Sequence, residues 1–359
     1  MKTSDFSYLL PETSIAQTPV EPRDSSKLLV MNRQNGELTH KHFSDLGAFL
    51  RPGDLLVINE SKVFKARLKG IASHAGPSRT KGGIDAEIFL LRAEGPYWLA
   101  LARPGKKLRI RSVITFADGT YCTVEEKFAD GSVRLDFQQS PEAILAWTDT
   151  IGEVPLPPYI KTNVGAGLAP AQIEGTGQPQ GLPLQYAERY QTVYAKDTGS
   201  VAAPTAGLHF TPELIEKLKS QGIKFASVVL HVGLGTFRPV KTETLEEHEM
   251  HAEWVDVPDE TMTAIEETKK NGGRVIAVGT TSVRALESGV RHGFTNIFIT
   301  PGYTFKIIDG MITNFHLPMS TLLVLVSSFA GRERVLAAYS EAIKEGYRFY
   351  SFGDAMLIV

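Results

Sequence analysis

Cysteine is almost missing from this chain: Cys122 is the only one in 359 residues. A single thiol excludes an internal disulfide framework and any cysteine-based metal cage. Long apolar runs are missing too. Runs such as Leu322 to Val326 are far too short to span a bilayer, so no membrane partner is expected. The first residues, Met1-Lys-Thr-Ser-Asp-Phe, carry no apolar h-region of a signal peptide, and a cytoplasmic location is expected. There is little net charge. With 38 Lys and Arg against 40 Asp and Glu, the formal balance is −2, which argues against holding nucleic acid by bulk charge alone. No HExxH is present, and His248-Glu-Met-His251 is only an i, i+3 pair, so no metal is expected. Gly233-Leu-Gly235 begins like a dinucleotide fingerprint but lacks the third glycine, and there is no Walker A lysine.

What remains is an ordinary globular composition, 42% hydrophobic and 22% charged, in a chain long enough for two domains. The charge is unevenly spread. Twelve Lys and Arg face three acids between Lys62 and Arg111, and ten acids face three bases between Lys241 and Lys270. Such asymmetry marks either an anionic partner or a pair of solvated faces.

The pattern along the chain predicts an α/β fold: a layered α/β catalytic domain with an inserted small all-β barrel domain. Residues 1–62 and 140–359 form the discontinuous α/β part, and 63–139 form the insert. The first part mixes short strands with a small helix near Ser44 to Leu50. In the insert, short alternating runs at Lys65–Gly70, Asp85–Leu91, Tyr97–Ala102, Leu108–Arg111, Tyr121–Val124 and Val133–Phe137 are separated by turn residues, the spacing of a small barrel or sandwich. Helices then return at Thr211–Gly222, Asp259–Lys270, Ser282–His292, Ser320–Ala330 and Arg332–Lys344, alternating with strands at Arg274–Val278 and Asn296–Ile299. This alternation implies a parallel-type layer with ligands at the strands' carboxyl ends. Residues 163–184, rich in Gly, Pro and Gln, can bury little and are expected to form a surface loop.

Two segments stand out chemically. Gly199-Ser-Val-Ala-Ala-Pro-Thr-Ala-Gly-Leu-His209-Phe210 is too small-residued for a buried strand and too rich in Pro and Gly for a helix. It is expected to leave backbone exposed to a ligand, with Thr205, Gly207 and His209 at hand. Ser227-Val-Val-Leu-His231-Val-Gly-Leu-Gly-Thr-Phe-Arg238 runs from an apolar strand into an imidazole and a glycine turn, and adds Gly233, Gly235, Thr236 and Arg238 as binding candidates. Gly279-Thr280-Thr281-Ser-Val-Arg284 offers hydroxyls and amides at a helix start, suited to an anion; the plainer alternative is an N-cap, with Arg284 in a surface ion pair. Thr313-Asn314-Phe-His316 and Tyr347-Arg348-Phe-Tyr-Ser-Phe-Gly-Asp354 complete the set, the latter suited to base stacking or to packing.

Together these motifs resemble the S-adenosylmethionine:tRNA ribosyltransferase-isomerase family of the queuosine pathway. Asp5-Phe-Ser-Tyr-Leu-Leu-Pro-Glu, Asn59-Glu-Ser-Lys-Val, Pro157-Pro-Tyr-Ile, Arg189-Tyr-Gln-Thr-Val-Tyr-Ala and His251-Ala-Glu-Trp join the segments above to cover the chain in order. Residues 163–184 depart from the family, being longer than its loop before Arg189.

The resemblance implies an α/β domain carrying an inserted barrel. It implies transfer and isomerisation of the ribosyl part of S-adenosylmethionine onto the 7-aminomethyl-7-deazaguanine at the wobble position of a tRNA with a GUN anticodon. Epoxyqueuosine-tRNA forms, and adenine and methionine leave. S-adenosylmethionine is then a consumed substrate, no cofactor is needed, and a monomer is expected. His209, His231 and His316 are the proton-transfer candidates, since imidazoles suit transfers near neutrality. Lys106, Lys107 and Arg109 are the tRNA-binding candidates. Two other readings compete: an S-adenosylmethionine-dependent RNA methyltransferase, which would normally show a glycine-rich loop after its first strand, and a non-catalytic RNA-binding protein, which leaves the His-bearing loops unexplained.

Overall fold

A computed structural model describes residues 1–73, 83–157, 159–160, 188–233 and 240–359. The expected surface loop 163–184, and with it Gly235, Thr236 and Arg238, lie outside the described residues. The chain divides into two compact units. The larger comprises 1–61, 156–197 and 203–359, and the smaller 62–155 and 198–202. A two-stranded ribbon, β4 (Ser61–Val63) with β11 (Asp197–Ser200), stands where these boundaries fall.

The smaller unit is built on a closed barrel. It is formed by β5 (Arg67–Ser73), β6 (Ile84–Glu94), β7 (Tyr97–Arg103), β8 (Val113–Phe116), β9 (Tyr121–Lys127) and β10 (Ser132–Asp136). Alternate residues point inward, so that Leu68, Ile88, Leu90, Ile114, Val124 and Leu135 are all fully buried and closure leaves no edge to cover. Cys122 is buried there too, and burial raises its thiol pKa well above the ordinary value. The unit extends past the expected 63–139 because α1 (Pro141–Ile151) packs against the barrel, with Trp147 5.0 Å from Phe116 and 5.7 Å from Phe137. The strand expected at Leu108–Arg111 is instead a turn. Its alternation of Leu and Ile with Arg imitates a half-buried strand, but only Leu108 is buried while Ile110 is exposed.

The larger unit holds a nine-stranded sheet in the order β15-β13-β12-β3-β14-β16-β17-β1-β2. Its strands are β1 (Lys27–Met31), β2 (Leu38–His42), β3 (Leu55–Asn59), β12 (Lys224–Leu230), β13 (Glu253–Asp256), β14 (Val275–Val278), β15 (His292–Thr295), β16 (Gly310–Asn314) and β17 (Ala355–Ile358). β12, β3, β14 and β16 run parallel, whereas β13, β15, β17 and β2 each pair antiparallel to a neighbour. The sheet is therefore mixed, and the expected parallel layer is confined to its centre. The strand expected at Asn296–Ile299 is displaced to His292–Thr295, which pairs with β13 as an edge. Edge pairing needs little side-chain burial, and His292-Gly-Phe-Thr carries no apolar run to announce it.

Among the described residues five α-helices flank this sheet: α2 (Pro212–Ser220), α3 (Asp259–Lys270), α4 (Thr280–Glu287), α5 (Thr321–Ala330) and α6 (Arg332–Lys344). Thr211 caps α2 by accepting the Leu214 amide at 3.1 Å, and Ser320 caps α5 through the Leu323 amide at 3.2 Å. Each satisfies an otherwise orphaned N–H. α4 stops at Glu287, short of the expected His292, and the helix expected near Ser44 is a 3₁₀ helix over Phe43–Phe49. Among the described residues no helix is long and apolar enough to cross a membrane.

Strand direction decides where chemistry can gather. The ends of β3, β12, β14 and β16 share one edge with the starts of β17 and β1. Asn59, His231, Gly279, Asn314, Asp354 and Ser26 thus converge from distant parts of the sequence. Leu56, at the centre of β3, is fully buried in the core beneath this edge. Leu56→Ala is expected to cost about 2–5 kcal/mol in chemical denaturation with an unchanged m-value, as cavity-forming core truncations do.

Candidate functional site

At this edge a cavity opens among Pro204–Ala206, Gly279–Thr281, Thr313–Leu317, Tyr350–Ser351, Tyr159 and Val232. Among the described residues its lining contains no Asp, Glu, Lys or Arg. Each wall has a local cause. Gly279 turns the chain from β14 into α4 at φ +91, a left-handed conformation that a side chain would strain. Tyr350 adopts φ +72 while almost fully buried, a strained backbone placed at the site. The ring of Tyr159 stacks on it at 4.5 Å.

Three buried polar atoms of the lining residues have no hydrogen-bond partner among the described residues: Thr281 Oγ1, Asn314 Oδ1 and the Tyr350 hydroxyl. Buried polar atoms are normally satisfied, so three orphans around one cavity mark a place for a ligand's polar groups.

The three histidines have distinct surroundings. His209 lies behind the wall, stacked 5.0 Å from Phe43. Its Nε2 meets Asn314 Nδ2 at 3.1 Å and its Nδ1 meets Ser26 Oγ at 2.7 Å. Asn314 Nδ2 also donates to the Tyr350 carbonyl at 3.1 Å, which fixes the amide orientation. His209 Nε2 is therefore the acceptor, and Nδ1 carries the proton and donates to Ser26. Burial, reinforced by Arg348 and Arg23, pushes the His209 pKa down to about 3.

His316 lines the cavity. Its Nε2 is 2.7 Å from Thr313 Oγ1, its backbone N–H donates to the Tyr339 hydroxyl at 3.2 Å, and its carbonyl accepts from Tyr8. Burial lowers its pKa to about 3.

His231 immediately follows β12 and is only partly buried. Its Nδ1 is 2.9 Å from Ser61 Oγ and its Nε2 3.4 Å from Asp197 Oδ1. Burial lowers its pKa, and Asp197 opposes that shift. Ser, His and Asp together have the composition of a hydrolytic triad, but Ser61 is fully buried and cannot reach a substrate carbonyl.

Several expected binding residues are occupied structurally. Val201–Phe210 is buried apart from Thr205; Ala203 to Ala206 line the cavity, while the residues on either side of them are packed. A Cβ on Gly207 would collide with the Tyr194 hydroxyl. Gly233 donates its N–H to Glu253 Oε1 at 2.8 Å, and Arg284 is locked in a buried ion pair with the same carboxylate. Asp354 accepts the backbone amides of Lys27 and Arg348 at 2.9 and 2.7 Å, joining β1 to the turn before β17. Arg348 donates to the Thr18 carbonyl at 3.1 Å. The aromatics from Tyr347 to Phe352 are buried, which suits packing and leaves only Tyr350 of them on the cavity. Thr205, Thr280, Thr281, Asn314 and His316 do line it. Sequence reasoning missed Ser26 and Tyr159; the aromatic in Pro157-Pro-Tyr-Ile was the one available signal.

Residues 3–358 match the family model described as queuosine biosynthesis protein. The chain belongs to this family. It is similar over its full length, and over theirs, to the S-adenosylmethionine:tRNA ribosyltransferase-isomerases of Thermosipho melanesiensis (49% identical) and Moorella thermoacetica (50%). It is also similar to the crystal structure of S-adenosylmethionine tRNA ribosyltransferase from Thermotoga maritima, with 37% identity, a TM-score of 0.54, and coverage of 99% of this chain and 100% of that one.

The buried imidazoles make stability depend on acidity. Folded, His209 and His316 stay neutral down to about pH 3, whereas their ordinary pKa is 6.5. Their contribution is therefore fully present above about pH 6.5 and is lost as the pH falls from there towards 3. The melting temperature is expected to decline over that range, and His209→Gln to flatten the decline. Parallel curves for variant and wild type would show that His209 is not held neutral.

Proposed function

We propose that the chain transfers and isomerises the ribosyl moiety of S-adenosylmethionine onto the 7-aminomethyl-7-deazaguanine at the wobble position of tRNA, giving epoxyqueuosine-tRNA and releasing adenine and methionine. The observation that carries the reading is the full-length similarity, at about half of all positions, to enzymes named for ribosyl transfer and isomerisation. The cavity supports it chemically. Among the described residues the lining carries no charged side chain and has unpartnered hydroxyl and carboxamide atoms, which suits the uncharged nucleoside part of S-adenosylmethionine better than its zwitterionic end.

The sulfonium acidifies the adjacent 5′ C–H, so a positioned base can remove that proton and start the loss of adenine. The amine of the modified base then attacks, and methionine leaves as a neutral thioether. His316 faces the cavity, and His231 is oriented by Ser61 and Asp197; these are the residues proposed to handle protons. S-adenosylmethionine is consumed, and the reaction so written calls on no resident cofactor. The partners are one tRNA with a GUN anticodon and one S-adenosylmethionine per chain, acting as a monomer.

The tRNA contact is proposed on the barrel unit. Of its cations, Arg67, Lys69 and Arg92 are neutralised by Glu87, Glu153 and Glu94. Arg103, Lys106, Lys107, Arg109 and Arg111 stand exposed around the turn after β7, with no ion-pair partner among the described residues. Unpaired cations on one turn suit phosphates, whose binding releases counterions and so depends on salt.

Mass spectrometry of tRNA after incubation with labelled S-adenosylmethionine tests the activity. A ribosyl-derived mass addition is expected; a methyl addition would indicate a methyltransferase, and no addition a binding protein. Reversing charge at Lys106, Lys107 and Arg109 together is expected to weaken tRNA binding and to flatten the log–log salt slope by about 2, at about 0.7 per single-strand phosphate contact. Unchanged tRNA affinity and slope would reduce this turn to a solvated face.

A further inference from the structure

We infer that His209 is a positioning residue and not a base: it holds Asn314 so that the side-chain oxygen of Asn314 accepts a hydrogen bond from the nucleoside part of S-adenosylmethionine. The inference rests on the reading of the cavity given above. An asparagine amide has two N–H donors and one carbonyl acceptor. Both donors of Asn314 are used, one on His209 Nε2 at 3.1 Å and one on the Tyr350 carbonyl at 3.1 Å. Its oxygen is buried, unpartnered, and belongs to a residue of the cavity wall. Asn314 therefore presents an acceptor only, and the ligand group opposite must be a donor: an amine or hydroxyl of the nucleoside.

His209 cannot take a substrate proton in this arrangement. Nδ1 is turned to Ser26, Nε2 is covered by Asn314, and the residue is not part of the lining. Its role is to keep an acceptor facing the Asn314 amide, with Phe43 stacked on the ring and Ser26 fixing the tautomer. Ser26 immediately precedes β1, and Asn314 ends β16, so the relay is anchored in two strands of the sheet. The depressed basicity of His209 agrees with this, since a group neutral at all physiological pH values is a constant acceptor.

Gln reproduces the Nε2 acceptor without being able to act as a base, which separates the two roles. His209→Gln is expected to keep kcat within about tenfold of the wild type. His209→Ala is expected to lose about 10²-fold in kcat/KM for S-adenosylmethionine, the scale of a misplaced contact, with the KM for tRNA unmoved. Asn314→Ala should lose a similar factor, and the double variant His209→Ala/Asn314→Ala no more than either alone, as residues acting as one unit do. His209→Gln as inactive as His209→Ala, with loss of a limb of the pH–rate profile, would overturn the inference and make His209 the base; additive losses or a shift in the tRNA KM would also overturn it. Lack of ribosyl transfer by the wild type would fault the functional reading alone, because S-adenosylmethionine affinity by calorimetry still ranks His209→Gln above His209→Ala. Should His209→Gln fail to fold, ¹⁵N spectra of histidine-labelled wild type decide: His209 must carry its proton on Nδ1 at neutral pH, and a proton on Nε2 would overturn the proposal.

Discussion

The side-chain amide of Asn314 bonds at once to His209 and to the carbonyl of Tyr350, and three segments more than a hundred residues apart at the extremes meet in it. This fork is possible only because β16 and β17 lie antiparallel with Asn314 opposite Ala355, while β1 runs parallel to β17 with Leu28 opposite the same residue. The register brings Ser26, Asn314 and the turn before β17 to one edge. Asp354 secures that turn by accepting the Lys27 and Arg348 amides, and Tyr350 takes up the left-handed conformation between them. A one-residue slip of β17 would turn its side chains to the opposite face and misplace the carbonyl on which Asn314 depends.

Among the described residues charged side chains are kept off the cavity lining. The buried pair of Arg284 with Glu253 shares its carboxylate with the Gly233 amide and lies outside the lining. Inside, polarity comes from threonines, one asparagine, tyrosines and an imidazole kept neutral by burial. Uncompensated buried charge is costly, so a neutral wall can stay preorganised when empty. On the proposed reading the positive charge of the sulfonium then arrives with the substrate, and among the described residues no Lys or Arg lines the wall against it. The exposed cations of the turn after β7 belong to the other compact unit, where solvent screens them and phosphates can reach them.

Much of this was legible in the sequence. The helices α3 and α6, the barrel spacing and the short segments around Thr205, Gly279 and Asn314 all follow from local pattern. Burial was the harder matter. Small residues between Val201 and Phe210 have the same composition whether they bare a backbone to a ligand or pack against a ring, and the Tyr194 hydroxyl beside Gly207 is visible only in three dimensions. For the same reason the aromatics after Tyr347 left stacking and packing both open in the sequence, and their burial decides for packing. His209 stood out as an imidazole on a loop, but its partners Ser26 and Asn314 are long-range neighbours that no local pattern relates. The edge strand β15 escaped because its residues need no apolar periodicity.

The central claim is that the uncharged cavity at the sheet edge receives the nucleoside of S-adenosylmethionine on the Asn314 acceptor. A crystal structure of the chain with S-adenosylmethionine bound tests this most directly. The account predicts the nucleoside inside the cavity, a donor of its base or ribose within hydrogen-bond distance of Asn314 Oδ1, and His209 still bonded to the Asn314 amide. A nucleoside bound elsewhere, or His209 turned to face the ligand itself, would contradict it.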